Sequence, residues 1–105
     1  HDACVLDDQA ALTTTGDATT MRALRLLLRE ELALLLQELE ALSRDRAGFS
    51  ERLHRLRSSC GFCGATALST QTVLLQQQLL QRGATPVALA RFRKALLATL
   101  QALDS

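Results

Sequence analysis

The sequence predicts an all-α protein, an antiparallel up-down four-helix bundle with a short extra helix at its N-terminus. Leucines recur at alternating steps of three and four through most of the 105 residues, the spacing of a helix face and not of a strand. No alternating strand pattern or hairpin signal interrupts them. Glycine and proline are scarce, five and one, and stand where breaks are wanted, so consecutive helices are joined by short connections and pack antiparallel.

Asp7 is placed to cap a short first helix running through about Thr14, which Gly16 ends. Asp17 then caps a long second helix, in which Met21, Leu24, Leu28, Leu32, Leu35, Leu39 and Leu42 form one apolar stripe. Leu26, Leu27, Leu34 and Leu36 widen that stripe, and the expectation is that this helix touches more than one neighbour within the fold, not that it dimerises. Asp45 caps a third helix, with Phe49, Leu53, Leu56, Cys60 and Cys63 on its buried side and weak points at Gly61 and Gly64. The fourth helix begins near Ala65, turns Leu68, Leu75 and Leu79 inward beneath a glutamine-rich outer side, and stops at Gly83. Pro86 suits the first turn of the last helix, whose inner face is Leu89, Phe92, Leu96, Leu100 and Leu103.

A chain of this length with 48% hydrophobic residues forms one domain over residues 1–105, with residues 1–5 read as a tag remnant or linker. Its start at histidine suggests excision from a longer protein. Aromatic residues make up only 3%, with no Trp or Tyr, and net charge is +1, so neither stacking platforms nor a basic field favours nucleic acid. Arg25, Arg29, Glu30 and Glu31 break the most leucine-rich stretch, which excludes direct membrane contact by a spanning helix. No basic head and apolar middle of a signal peptide opens the chain. Three cysteines, an odd number, fit a reducing compartment. The expectation is a cytoplasmic monomer.

The sharpest functional residue is His54, the one histidine besides the first residue. It lies off the buried stripe of its helix, and its neighbours at helical spacing are Ser50, Arg57, Ser58 and, a turn further, Gly61. A histidine on such a face is either a solvated surface residue or an imidazole left open for a partner to dock over.

The run from His54 to Leu68 closely resembles the signature of the histidine-containing phosphotransfer (HPt) family. His54, Leu56, Ser59, Gly64, Ala65 and Leu68 stand at the family's spacings. Arg57 replaces the usual Lys, keeping the charge but changing its geometry, and Ser58 replaces the usual Gly. Val5-Leu6-Asp7, Gly16-Asp17 and Arg82-Gly83 extend the likeness over nearly the whole chain. The resemblance implies the same helical bundle and a phosphorelay role, with His54 taking a phosphoryl group from a receiver-domain aspartate and passing it to another. It also assigns the attack to Nε2. Arg57 would stabilise the phosphoryl charge. Ser50, Arg55, Ser58 and Gly61 would meet the partner, with Arg52 facing a receiver's acidic rim. The sequence near His54 has neither a carboxylate cluster for Mg²⁺ nor a glycine-rich phosphate loop, so no cofactor is expected on this chain and the receiver would bring the metal. The C-terminal end of a bacterial hybrid sensor histidine kinase is the expected setting, with no autonomous catalysis by this domain.

Two other readings stay open. One is a helical interaction module that does not transfer phosphate, which the Ser58 departure favours. The other uses Cys60-Gly61-Phe62-Cys63 as a redox or zinc motif, with Cys4 as a third ligand. Against it, the C-x-x-C closes a helix, where the dipole opposes a thiolate, and both cysteines fall on the apolar stripe as packing residues.

Overall fold

The computed structural model describes residues 5–104, so His1 and Cys4, and with them most of the expected tag or linker segment, lie outside the described residues. Five helices follow in order: α1 (Asp8–Thr15), α2 (Ala18–Ser43), α3 (Arg46–Cys63), α4 (Thr66–Gln81) and α5 (Pro86–Asp104). The described residues contain no strand. Helices α2 to α5 form a closed ring of antiparallel neighbours, and α1 packs across one end against α2 and α3. The 26 residues of α2 span about 39 Å at 1.5 Å per residue, which matches the 39 Å long axis of the molecule.

All three aspartates expected as caps serve as caps. Asp7, Asp17 and Asp45 accept from the backbone N–H groups of Ala10, Thr20 and Gly48 at 3.0, 2.8 and 3.0 Å. Asp17 also accepts from the Thr20 hydroxyl at 2.9 Å, and these bonds, led by the backbone one, hold its carboxyl below the ordinary 3.8. Its capping contribution is present above that range and is lost as pH falls through it. Helix α4 has no side-chain cap at Ala65, and Thr85 caps α5 through a 3.2 Å bond from Ala88 N–H.

One core cluster runs the length of the bundle, built from Leu28, Leu32 and Leu35 of α2, the expected five residues of α3, Leu68, Leu75 and Leu79 of α4, and Phe92 and Leu96 of α5. Phe49 and Phe92 meet edge to face at 6.3 Å. Thr72 and Thr99 are also buried, unforeseen in the stripes. Each returns its hydroxyl to the carbonyl four residues back, Leu68 and Ala95, at 2.7 Å, so neither is left unsatisfied.

The extra leucines of α2 depart from expectation. Helix α2 does touch three neighbours, but Leu26, Leu27 and Leu34 take no part in it, being 65%, 62% and 52% exposed, and only Leu36 packs against the core. The consecutive apolar positions 26–28 and 32–36 cover more than half of the helix circumference, so some must face outward whatever the inner face needs.

The corner between α3 and α4 is the tightest point of the fold. Gly64 ends α3 with φ +69, and its carbonyl accepts from Asp7 N–H at 2.7 Å, which docks the start of α1. A Cβ on Gly64 would collide with the Asp7 carbonyl oxygen. Gly61, by contrast, sits inside α3 with open space where a methyl group would project. Gly64→Ala is therefore expected to destabilise by at least about 2 kcal/mol, from left-handed strain plus overlap. Gly61→Ala should stabilise by up to about 1 kcal/mol through helix propensity. Chemical denaturation of both variants checks the pair, and equal effects would contradict the geometry.

Candidate functional site

His54 occupies the middle of α3 and is exposed, on the side of that helix that faces α4. Its exposure follows from the five buried residues Phe49, Leu53, Leu56, Cys60 and Cys63, which turn the opposite arc of α3 into the core. Two shallow grooves between α3 and α4 meet at the imidazole. One is lined by Arg46, Ala47, Ser50, Glu51, Gln76, Leu79 and Leu80, the other by Arg57, Ser58, Ser69 and Val73. Arg57 lies one turn beyond His54, and its Nη1 donates to Gln76 Oε1 at 3.4 Å.

Of the residues expected beside His54, Ser50, Arg57 and Ser58 line these grooves. Gly61 is exposed one turn beyond Ser58, with nothing near its Cα that would obstruct an approaching surface. Arg55 does not join them. At about 100° per residue, adjacency in sequence carries it round the helix, and it lines a separate groove toward α2 with Glu30, Glu31, Leu34, Arg52 and Ser59. Arg52 is not a free rim cation either, because it pairs with Glu38 at 2.6 Å with only 20% of its side chain exposed. Gln76 was missed by sequence reading, which took the glutamine run as a solvated face. Its signal was the α4 register: one position beyond the inward Leu75, it turns toward α3.

The signature residues other than His54 are architectural. Leu56, Ala65 and Leu68 are buried, and Gly64 makes the corner described above. Ser59 donates to Glu31 Oε1 at 3.1 Å and so ties α3 to α2. Near the same end, Arg25 donates from Nε to the Cys63 carbonyl at 3.1 Å and pairs with Asp8 at 2.8 Å, joining α2, α3 and α1.

Cys60 and Cys63 are free thiols, each 1% exposed. Burial, reinforced by the Glu31 carboxylate and by Cys63, pushes the Cys60 thiol up to about 12. Burial also raises Cys63, against the pull of Arg25. Both are neutral at physiological pH, the opposite of what thiolate chemistry or zinc ligation needs. Among the described residues no group of three or more His, Cys, Asp and Glu is placed to hold a metal ion, and Cys4 lies outside them.

In a Cys4→Ser background, the folded protein at pH 8 should react slowly with a thiol reagent and should yield two equivalents at once when unfolded. Rapid reaction of the folded state would overturn the packing role. A raised thiol pKa stabilises the fold below 9.0, the ordinary value, and that contribution should disappear as pH climbs toward 12. Replacing both cysteines by Ala should cost on the order of 1 kcal/mol per site.

A family model described as the Hpt domain matches residues 22–105, well over half of the chain and all of helices α3, α4 and the site between them. Searches of curated proteins and of solved structures give no match. The helical bundle and the extent of that match place the chain in the histidine-containing phosphotransfer family, the Hpt domains, which carry phosphoryl groups on histidine in two-component phosphorelays and interact with receiver domains.

Proposed function

We propose that His54 is the phosphoryl carrier of this domain, accepting from the aspartyl phosphate of one receiver domain and donating to the aspartate of another. The observation that carries the reading is the open imidazole at the junction of two grooves, with a guanidinium one turn away. Nε2 attacks phosphorus, an N–P bond forms, the acyl phosphate P–O bond breaks, and the receiver's carboxylate leaves with the bonding pair. The second transfer reverses these roles. A histidine nucleophile attacks in its neutral form, which imidazole supplies near neutral pH.

Such a transfer depends on in-line positioning and charge neutralisation more than on covalent machinery. Arg57 contributes charge toward the phosphoryl oxygens, and its bond to Gln76 holds it over the groove when no phosphate is present. Ser50, Ser58 and Gly61 leave the approach low, so a receiver can bring its aspartate to the imidazole. The exposed Leu80, at the edge of the same groove, offers apolar contact to that partner. Arg55, around the helix, would reach only the margin of the footprint. Mg²⁺ belongs to the receiver, where it neutralises the phosphoryl group, and this chain requires no cofactor of its own. The domain acts as carrier and not as an autonomous enzyme, in the cytoplasmic part of a signalling pathway and at the end of a hybrid kinase. Among the described residues no helix is long and apolar enough to cross a membrane.

His54→Gln is expected to abolish acid-labile, base-stable phosphate uptake from a phosphorylated receiver while helicity and melting temperature stay nearly unchanged, because the side chain is exposed. Label retained by that variant would end the proposal. Arg57→Ala should slow transfer by about one to three orders of magnitude, by analogy with other arginine contacts to phosphoryl groups. Arg57→Lys should recover much of the rate. Identical single-turnover rates for the three proteins would remove Arg57 from the reaction.

A further inference from the structure

Of the two grooves that meet at His54, one is fitted to an anion, and we infer that the hydroxyls of Ser58 and Ser69 bind the oxygens of the phosphoryl group there, together with Arg57. The inference rests on the reading of His54 as the phosphoryl carrier. Ser58 stands one turn from His54 on α3, and Ser69 one turn before Val73 on α4, and all of these line the same groove. Ser58 lies six residues before Gly64 and Ser69 five after it, so the corner between the helices brings the two level across the groove. Its volume, about 410 Å³, takes a phosphoryl group and several waters.

Both hydroxyls are available. Thr70 and Thr72 of α4 return theirs to the helix carbonyls four residues back, at 3.1 and 2.7 Å. Ser58 and Ser69 make no such bond, and among the described residues neither hydroxyl has a partner. Ser58 is exposed and Ser69 half-buried, so each can turn to an incoming oxygen without giving up a bond. A phosphorylated imidazole presents three acceptor oxygens, and acceptors that carry charge form the stronger hydrogen bonds. Glycine, the residue usual at position 58 in the family, has no side-chain donor to offer.

Charge selects this groove over its companion. No carboxylate lines it, and Arg57 supplies a guanidinium whose 3.4 Å bond to Gln76 is long and readily exchanged for a phosphoryl oxygen. The companion groove contains the exposed Glu51, and its arginine, Arg46, already donates to the Leu79 carbonyl. A phosphoryl group turned that way would face the carboxylate, so that side, with Ala47 and the exposed Leu80, is left to the receiver. Bonds from Ser58 and Ser69 form only once phosphorus is on the histidine. They therefore stabilise phosphorylated His54 against the receiver's aspartyl phosphate and set where the phosphoryl group rests between the two proteins.

The test is the equilibrium of phosphoryl exchange between the chain, loaded with phosphoramidate, and an isolated response-regulator receiver domain with Mg²⁺, approached from both directions. With the proteins dilute enough that few are in complex, the partition between free species does not depend on how tightly the receiver docks, so it reports the phosphorylated histidine itself. Ser58→Ala and Ser69→Ala should each lower the equilibrium constant toward His54 by about three- to tenfold, and the double variant by more than either. Melting temperatures should stay nearly unchanged. Ser58→Thr and Ser69→Thr, which keep a hydroxyl, should stay close to the unmodified protein. A double alanine variant with an unchanged equilibrium constant overturns the inference while leaving His54 as the carrier. Threonine variants that lose as much as the alanine variants overturn it too. If the unmodified chain takes up no label beyond that of His54→Gln, the carrier reading fails and this inference with it.

Discussion

The placement of the His54 face depends on the rotational setting of α3. Its five buried residues lie within about a quarter of the helix circumference, and the angle at which that arc meets the core decides where His54 points. Polar contacts hold the setting on both flanks. Toward α2, Arg52 pairs with Glu38 and Ser59 bonds Glu31, while Arg25 reaches the Cys63 carbonyl. Toward α4, Arg46 donates to the Leu79 carbonyl and Arg57 to Gln76. The Arg52–Glu38 and Ser59–Glu31 contacts fall seven residues apart on each helix and run in opposite directions, with the Arg25 contact following further along, which defines an antiparallel register. A slide by one turn would break them together. Apolar stripes rich in a single residue type tolerate such slides, so in a leucine core these polar pairs supply specificity that packing alone leaves weak.

The same arrangement separates chemistry from architecture within the motif that names the family. His54 and Arg57 face outward into the grooves between α3 and α4, with Ser58 and the exposed Gly61 beside them. Leu56, Ser59, Gly64, Ala65 and Leu68 hold α3 against α1, α2 and α4. Gly64 illustrates why such a motif is long: its left-handed backbone ends α3, and its missing side chain admits the Asp7 carbonyl. The proposed carrier role asks for one nucleophile and little machinery around it, and in this chain most of the motif residues serve to keep His54 on an unobstructed surface. The cysteines fit the same division. Their C-x-x-C spacing has the form of a redox motif, yet a core position at the C-terminal end of a helix denies them the thiolate.

Helix α2 carries apolar residues in two directions. Its inner stripe contributes Met21, Leu28, Leu32 and Leu35 as buried residues, while the exposed leucines lie well around the circumference. Charge is segregated along its length, Arg-rich before residue 30 and Glu-rich after it. Within the monomer part of that charge is already used, Arg25 by Asp8, Arg29 by Asp104 and Glu38 by Arg52.

Periodicity, capping residues and glycine positions determined the five helices, the three aspartate caps and which side of the four long helices is buried, because those features arise within a few residues of one another along the chain. The off-stripe position of His54 was legible for the same reason, as was the proximity of Arg57 one turn on. What tertiary structure decided is how neighbouring helices meet. Gln76 became part of the site because α4 turns it toward α3, Arg52 lost its freedom to Glu38, and Arg55 went to a different groove although it adjoins His54 in sequence. Thr72 and Thr99 entered the core because a helix carbonyl four residues back satisfies a hydroxyl that polarity alone would send to solvent. The outward leucines of α2 were visible as residues but not as a surface, since a helix with leucine around most of its circumference does not declare how many neighbours the fold will provide.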